Sequence, residues 1–328
     1  MQTELLRPDA DGIHRAAQAL AAGELVAFPT ETVYGLGANA LDDGAVRAVF
    51  SAKGRPLSHP LIVHLAEGTD LAEWTRATGT TLDQARQLQE AFWPGPLTLV
   101  LPRSSLAGDT VTAAQPTVAL RVPDHPVAQE LLSISGLPLV APSANRYGRL
   151  SPTMAQHVLA QLDGRIRFVV DGGPAAIGLE STILDLSGAE PRVLRPGQIS
   201  ATRLADVLGV PVLGRGRGNV PRVPGAERSH YAPRAATRIV DSAELAAAVQ
   251  AAPLSGVLAF EPAPAGFRGR WLQMPPDPQE YGRQLYRRLH ELDGITSRIL
   301  IERPPDSVDW LAVNDRLRRA ASGKQEGE

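Results

Sequence analysis

VAFPTETVYGLGANA (residues 26–40) begins as a core strand, Val26-Ala27-Phe28. It then places Pro29, Thr30, Glu31, Thr32, Tyr34, Gly35 and Gly37 where a chain would ordinarily just turn. Gly35-Leu36-Gly37-Ala38-Asn39-Ala40 fits the letters of the dinucleotide fingerprint G-x-G-x-x-A. That fingerprint needs its first glycine at the strand end with a helix following at once. Here PTETVY intervenes, and no acidic residue follows a second strand at the proper distance. The stretch therefore reads as a strand over 25–28 that ends in a polar glycine turn, its hydroxyls and its carboxylate held at the rim of a core.

Outward from it, short apolar runs alternate with helical patterns. Strands are expected over 25–28, 61–65, 97–101, 117–122, 137–141, 166–170, 181–186 and 192–195. Helices are expected over 11–22, 43–52, 80–92, 126–133, 153–162 and 200–208. Several consecutive strands have no helix between them, which predicts an α/β (α+β-like) fold with a mixed sheet rather than a doubly wound parallel one. From residue 211 the texture turns to Gly, Pro and Arg without apolar periodicity, the composition of a linker. Beyond it, strands at 238–240, 256–260, 270–273 and 298–302 and helices at 242–250, 278–292 and 308–321 predict a second α/β unit. The expected division is 1–210, a linker 211–236, and 237–328. In the helix at 278–292, Tyr281, Leu285, Leu289 and Leu292 share one stripe, so that face packs.

The bulk numbers exclude several classes. Of the 328 residues 43% are apolar and 21% charged, with a net charge of −2, so this is neither a disordered chain nor a polycation. The absence of cysteine removes thiol nucleophiles, disulfides and zinc–thiolate sites and fits a reducing, cytoplasmic setting. No apolar run approaches the roughly 18 residues a membrane helix needs, and MQTELLRPDADG has no signal-peptide pattern. The histidines show no metal-ligand spacing.

What remains is a set of strand ends bearing hydroxyls and cations. SAKGRPLSHPLIVH puts Lys53 and Arg55 in a proline-held loop before a strand ending at His64. A point charge beside a planar fork suits an oxyanion. LPLVAPSANRYGRLSPT runs a strand into Ser143 and Asn145, then to Ser151, which also reads as the cap of the next helix. Arg121 stands inside a strand, where an unpaired charge is costly without a partner. Glu180, Ser181 and Thr182 open one strand and Arg195 ends another. Four cations with hydroxyls at three strand ends suggest a nucleotide or carboxylate site, and no P-loop motif G-x-x-x-x-G-K-[ST] occurs.

FPTETVYGLG, AKGRPLSHPLIVH, WPGPLTLVL, VALRVPDHP, APSAN, SPT, GLESTILDL and VLRPG, in that order over 23–197, resemble the signatures of the L-threonylcarbamoyl-AMP synthase family. PGAERSHYAPRA and the following α/β unit resemble its long, two-domain form. The resemblance implies a twisted mixed sheet around a cationic cavity, a Rossmann-like second domain, and a linker over the active site. It also implies a reaction: L-threonine, bicarbonate and ATP give threonylcarbamoyl-adenylate and pyrophosphate, and a transferase complex delivers the group to tRNA next to the anticodon. By the same resemblance, L-threonine falls to Thr32, His64, Arg121, Ala141 and Ser181. ATP falls to Lys53, Arg55, His59, Thr117, Ser143, Asn145, Ser151, Arg195, Gly225, His230 and Tyr231. Many relatives carry asparagine at the position of His59. Lys53 and Arg55 are the expected catalytic cations. Mg2+ is expected on the ATP phosphates rather than in a protein cage, and a weak tRNA contact is compatible with a basic cavity. Two alternatives stand beside this. A non-catalytic RNA-binding module is disfavoured because aromatics are only 5% and are not interleaved with arginines. A carbamoyl transferase of related fold is disfavoured because it brings zinc-finger and acylphosphatase segments absent here.

Overall fold

The computed structural model describes residues 2–214, 220–225 and 231–322. In chain order the first sheet and its helices are β1 (Glu4–Leu6), α1 (Ala10–Ala21), β2 (Val26–Phe28), β3 (Gly35–Asn39), α2 (Asp43–Lys53), β4 (Ile62–His64), α3 (Leu71–Trp74), α4 (Gly79–Phe92), β5 (Leu97–Pro102), α5 (Asp109–Thr112), β6 (Thr117–Arg121), α6 (Pro126–Ser135), β7 (Leu139–Val140), α7 (Ala155–Leu162), β8 (Phe168–Val170), β9 (Thr182–Asp185), β10 (Arg192–Arg195) and α8 (Ala201–Leu208). The second unit has β11 (Ala236–Val240), α9 (Ser242–Ala251), β12 (Gly256–Ala259), β13 (Arg270–Gln273), α10 (Pro278–Asp293), β14 (Arg298–Glu302) and α11 (Leu311–Ala321).

Among the described residues, ten strands form one sheet in the order β1-β8-β2-β3-β7-β4-β6-β5-β9-β10. Both parallel and antiparallel pairs occur, for instance β4 with β6 parallel and β5 with β6 antiparallel. The sheet is therefore mixed, as the helix-free strand pairs foretold. A four-stranded, all-parallel sheet, β11-β14-β12-β13, makes up the second unit. Tyr281, Leu285, Leu289 and Leu292 form the buried face of α10, as their stripe implies.

Residues 35–39 are not part of a turn. They form β3, antiparallel to β2 with Ala27 opposite Leu36, and the turn is confined to the residues between. Glycine here serves packing. A Cβ on Gly37 would come within 2.7 Å of the Phe28 ring, so only glycine lets that ring lie across the neighbouring strand. β3 then passes to β7 on its other side, with Ala38 opposite Val140. The short strand β1 and the one-turn helices α3 and α5 carry too little pattern to be read from sequence.

Candidate active site

Register brings the site together. His64 and Arg121 are partners across β4 and β6, so both strands end at the same level. Leu97 faces Thr182 across β5 and β9, which places the start of β9 close by. The loop after β7 is zipped to β3: Leu36 N–H donates to Pro142 O at 2.7 Å and Ala144 N–H to Tyr34 O at 2.8 Å. The polar turn folds on itself. Thr30 Oγ1 donates to Val33 O at 2.6 Å, accepts from Val33 N at 3.2 Å, and meets Thr32 Oγ1 at 2.8 Å. A small hydroxyl turn of this kind satisfies its own backbone and leaves a rigid wall.

These ends enclose a cavity lined by Thr30, Thr32, Val33, Gly35, Arg55, Ile62, His64, Arg121, Ala141, Pro142, Ser143, Glu180, Ser181, Arg195, Pro224, Gly225 and Tyr231. All five residues expected at the amino acid are present. So are Arg55, Ser143, Arg195, Gly225 and Tyr231 from the nucleotide set. Of the other nucleotide candidates, those among the described residues stand behind or away from the wall. The buried Lys53 ammonium donates to Asn145 O at 2.6 Å and to Ser143 O, bracing the loop from beneath. Asn145 spends its amide on Arg146 O and Arg149 O at 2.8 and 2.9 Å, and its buried Oδ1 meets no hydrogen-bond partner among the described residues. Thr117 begins β6 while Arg121 ends it, about 13 Å away at ~3.3 Å per residue. His59 packs its ring 5.5 Å from Tyr147. His230 lies outside the described residues.

Ser151 departs from expectation. It does not cap α7, which starts at Ala155 behind Met154 with no side-chain cap. Its hydroxyl donates instead to Glu180 Oε1 at 2.5 Å.

The charged side chains of the cavity are buried and held by specific partners. Arg121 Nη2 lies 2.6 Å from Glu31 Oε1, off the line of a hydrogen bond, and its Nε donates to Gly95 O at 3.2 Å. Glu31 is thus the partner that a strand-buried arginine requires, although the sequence did not identify it. Arg195 donates to Ser181 O, Ser181 Oγ and Pro224 O at 3.0–3.1 Å, tying β10 to β9 and to the linker. Ser181 Oγ also meets Thr98 Oγ1 at 2.7 Å. Burial, with Arg121 next to it, pulls His64 down to about 3, so its imidazole is neutral, and its Nδ1 meets no hydrogen-bond partner among the described residues. Burial, then Arg55, pulls the Lys53 ammonium well below its usual value. Burial pushes the Tyr231 phenol up to about 12. Among the described residues no three His, Asp or Glu side chains gather to hold a metal ion, and no helix is long and apolar enough to cross a membrane. Such a cavity can seat a carboxylate against a paired arginine, hydrogen-bond an alcohol, and draw a polyanion toward Arg55 and Arg195.

The geometry has counterparts. A family model described as "Telomere recombination" matches residues 18–197, and one described as "Threonylcarbamoyl-AMP synthase, C-terminal domain" matches 199–322. The threonylcarbamoyl-AMP synthase of Bacillus subtilis (strain 168) is 40% identical over 98% of this chain and 96% of its own. That of Pyrococcus abyssi is 37% identical over 94% of each. The crystal structure of P. abyssi Sua5 complexed with L-threonine superposes with a TM-score of 0.89 at 36% identity, covering 97% of this chain and 98% of that one.

Proposed function

The chain belongs to the threonylcarbamoyl-AMP synthase family, and from that premise we propose that it joins L-threonine, bicarbonate and ATP into threonylcarbamoyl-adenylate. The threonine amine takes the carboxyl carbon of bicarbonate, releasing water and leaving a carbamate. A carbamate oxygen then attacks the α-phosphorus. The bond from that phosphorus to the bridging oxygen breaks, and pyrophosphate leaves with the electron pair. The enzyme is in this reading a nucleotidyltransferase.

The observation that carries the proposal is the meeting of Thr32, His64, Arg121, Ala141 and Ser181 around one cavity whose walls also hold Arg55 and Arg195. The related protein crystallised with L-threonine, over the same fold, supports the amino acid as the small ligand. Arg121 receives the threonine carboxylate, and Glu31 keeps that arginine oriented beforehand. Neutral His64 and the hydroxyls of Thr32 and Ser181 address the amino acid's polar groups without adding charge. Both reactants are anions, so positioning and electrostatic stabilisation supply the rate rather than a protein nucleophile. Lys53 serves from behind the Ser143–Asn145 loop, and an arriving triphosphate is the anion that favours its charged form. Mg2+ comes with the ATP phosphates. Glu31 and Glu180 are engaged by Arg121 and Arg316, which leaves the metal to the nucleotide. Gly225 and Tyr231 close the linker side over the nucleotide. The product passes to a transferase that modifies tRNA next to the anticodon in the cytoplasm.

The test is direct: incubate the protein with ATP, Mg2+ and bicarbonate, with and without L-threonine, and measure pyrophosphate. Release that depends on threonine and bicarbonate is expected; release indifferent to threonine contradicts the proposal.

A further inference from the structure

One residue of the second unit braces the cavity wall at several points. Arg316 in α11 is fully buried, and its guanidinium divides its donors among separate segments of the wall. Nε donates to Glu180 Oε2 at 2.8 Å and Nη2 to Glu180 O at 3.3 Å. Nη1 donates to Pro196 O at 2.9 Å, directly after Arg195, and to Asp315 Oδ2 at 2.8 Å. The guanidinium carbon also lies 5.5 Å from the centre of the Tyr231 ring. One side chain therefore touches the segment before Ser181, the segment after Arg195, and the linker tyrosine.

Glu180 passes the restraint on. Its Oε1 accepts from Ser151 and its Oε2 also accepts from Tyr286 Oη, on α10, at 3.1 Å. Burial pushes the Glu180 carboxyl up, but Arg316 and Arg195 outweigh it and hold it below the usual carboxylate range. The backbone is fitted to match. A Cβ on Gly178 would come within 2.6 Å of Arg283 O on α10, and one on Gly282 within 2.9 Å of a Leu179 methyl. The 178–180 loop and α10 thus approach to contact, backbone on backbone at Gly178 and the Leu179 side chain on Gly282. His290, also on α10, reaches Ser151 O at 3.0 Å.

We infer that Arg316, acting through Glu180, is a positioning residue for the active site: it sets Ser151, Ser181 and Tyr231, so that the second unit completes the catalytic cavity instead of merely accompanying it. This rests on the proposed adenylate synthesis. A planar fork donating four directed hydrogen bonds cannot be replaced by an ammonium, and misplacing a reacting group by ~1 Å costs about 10²-fold in rate.

The experiment compares four full-length variants by threonine-dependent pyrophosphate release and by thermal unfolding. Arg316→Lys keeps the charge and loses the fork; kcat is expected to fall about 10²-fold, with a smaller change in threonine KM. Tyr286→Phe keeps the fold and removes one bond to Glu180; a smaller loss in kcat is expected. Arg316→Met is expected to lose both activity and stability. Glu302→Gln is the control. Glu302 bonds to Ser242 Oγ and Phe260 N within the second unit, so its loss lowers the unfolding temperature and leaves kcat unchanged. Full kcat in Arg316→Lys, or an equal kcat loss in Glu302→Gln, overturns the inference. If the wild-type protein makes no adenylate, the functional reading fails separately. The inference is then judged on crystal structures, where Arg316→Lys must displace Ser151 Oγ from Glu180, and an unmoved Ser151 refutes it.

Discussion

Replacing Arg121 with methionine separates ligand binding from folding in a way the geometry makes quantitative. Arg121 and Glu31 are 5% and 7% exposed at their side chains, so removing the cation leaves a carboxylate buried and unpaired. Breaking a buried pair from one side costs about 3–5 kcal/mol of stability. Arg121→Met alone is therefore expected to be poorly stable, and a failure to bind threonine would mean little. In Glu31→Gln/Arg121→Met no charge is left stranded, and most of that stability returns. The threonine carboxylate, however, still lacks its partner. A hydrogen bond to a charged group contributes about 1.5–3 kcal/mol, so threonine affinity should fall about 10- to 100-fold at ~1.4 kcal/mol per tenfold. ATP affinity should stay within about 2-fold, because the nucleotide cations Arg55 and Arg195 are untouched. Calorimetric titration of the folded double variant with each ligand reads both numbers. Wild-type threonine affinity in that variant would refute the assignment of Arg121 to the carboxylate.

Thr32→Ala is expected to raise the threonine KM much more than the ATP KM in the pyrophosphate assay, and unchanged values for both would remove the polar turn from the amino-acid subsite. The same subsite should reject valine by several kcal/mol but serine by only about 1–3 kcal/mol, since a buried polar group left unpaired costs more than a missing methyl; valine used as well as threonine contradicts it. Glu180 sits below its usual 4.5 when folded. The stability its ionised form contributes is present above that value and is lost as pH falls through the lower, folded one. Acid unfolding should accordingly shift to higher pH in Arg316→Met, whose Glu180 loses its principal cation, and an identical acid midpoint would show that the pair is not coupled to folding.

Much of this fold was legible because pattern and structure share a period. The apolar runs at 97–101 and 117–122 became β5 and β6, paired antiparallel as a helix-free connection allows. The α10 stripe marked its buried face. β3 was missed because two of its five residues are glycine, which carries no strand signal; the need for glycine lies in Phe28 on the adjacent strand, which local sequence does not reveal. Many of the cavity residues were readable from their motifs, since several motifs, such as those of His64 and Arg121, sit at strand ends that register brings level. Their partners were not. Glu31 meets Arg121 across 90 positions, and Glu180 meets Arg316 across 136. No periodicity links residues so far apart, so the supporting shell became visible only in three dimensions. Ser151 illustrates the point: its place before a helix suggested a cap, and its hydroxyl was taken by Glu180.

The most direct measurement is a crystal structure with L-threonine and a slowly hydrolysed ATP analogue bound together. The threonine carboxylate is expected on Arg121 and its amine turned toward the α-phosphorus, with room for one carboxyl group between them. A nucleotide bound outside the cavity, or an amino acid whose amine faces away from that phosphorus, would contradict it.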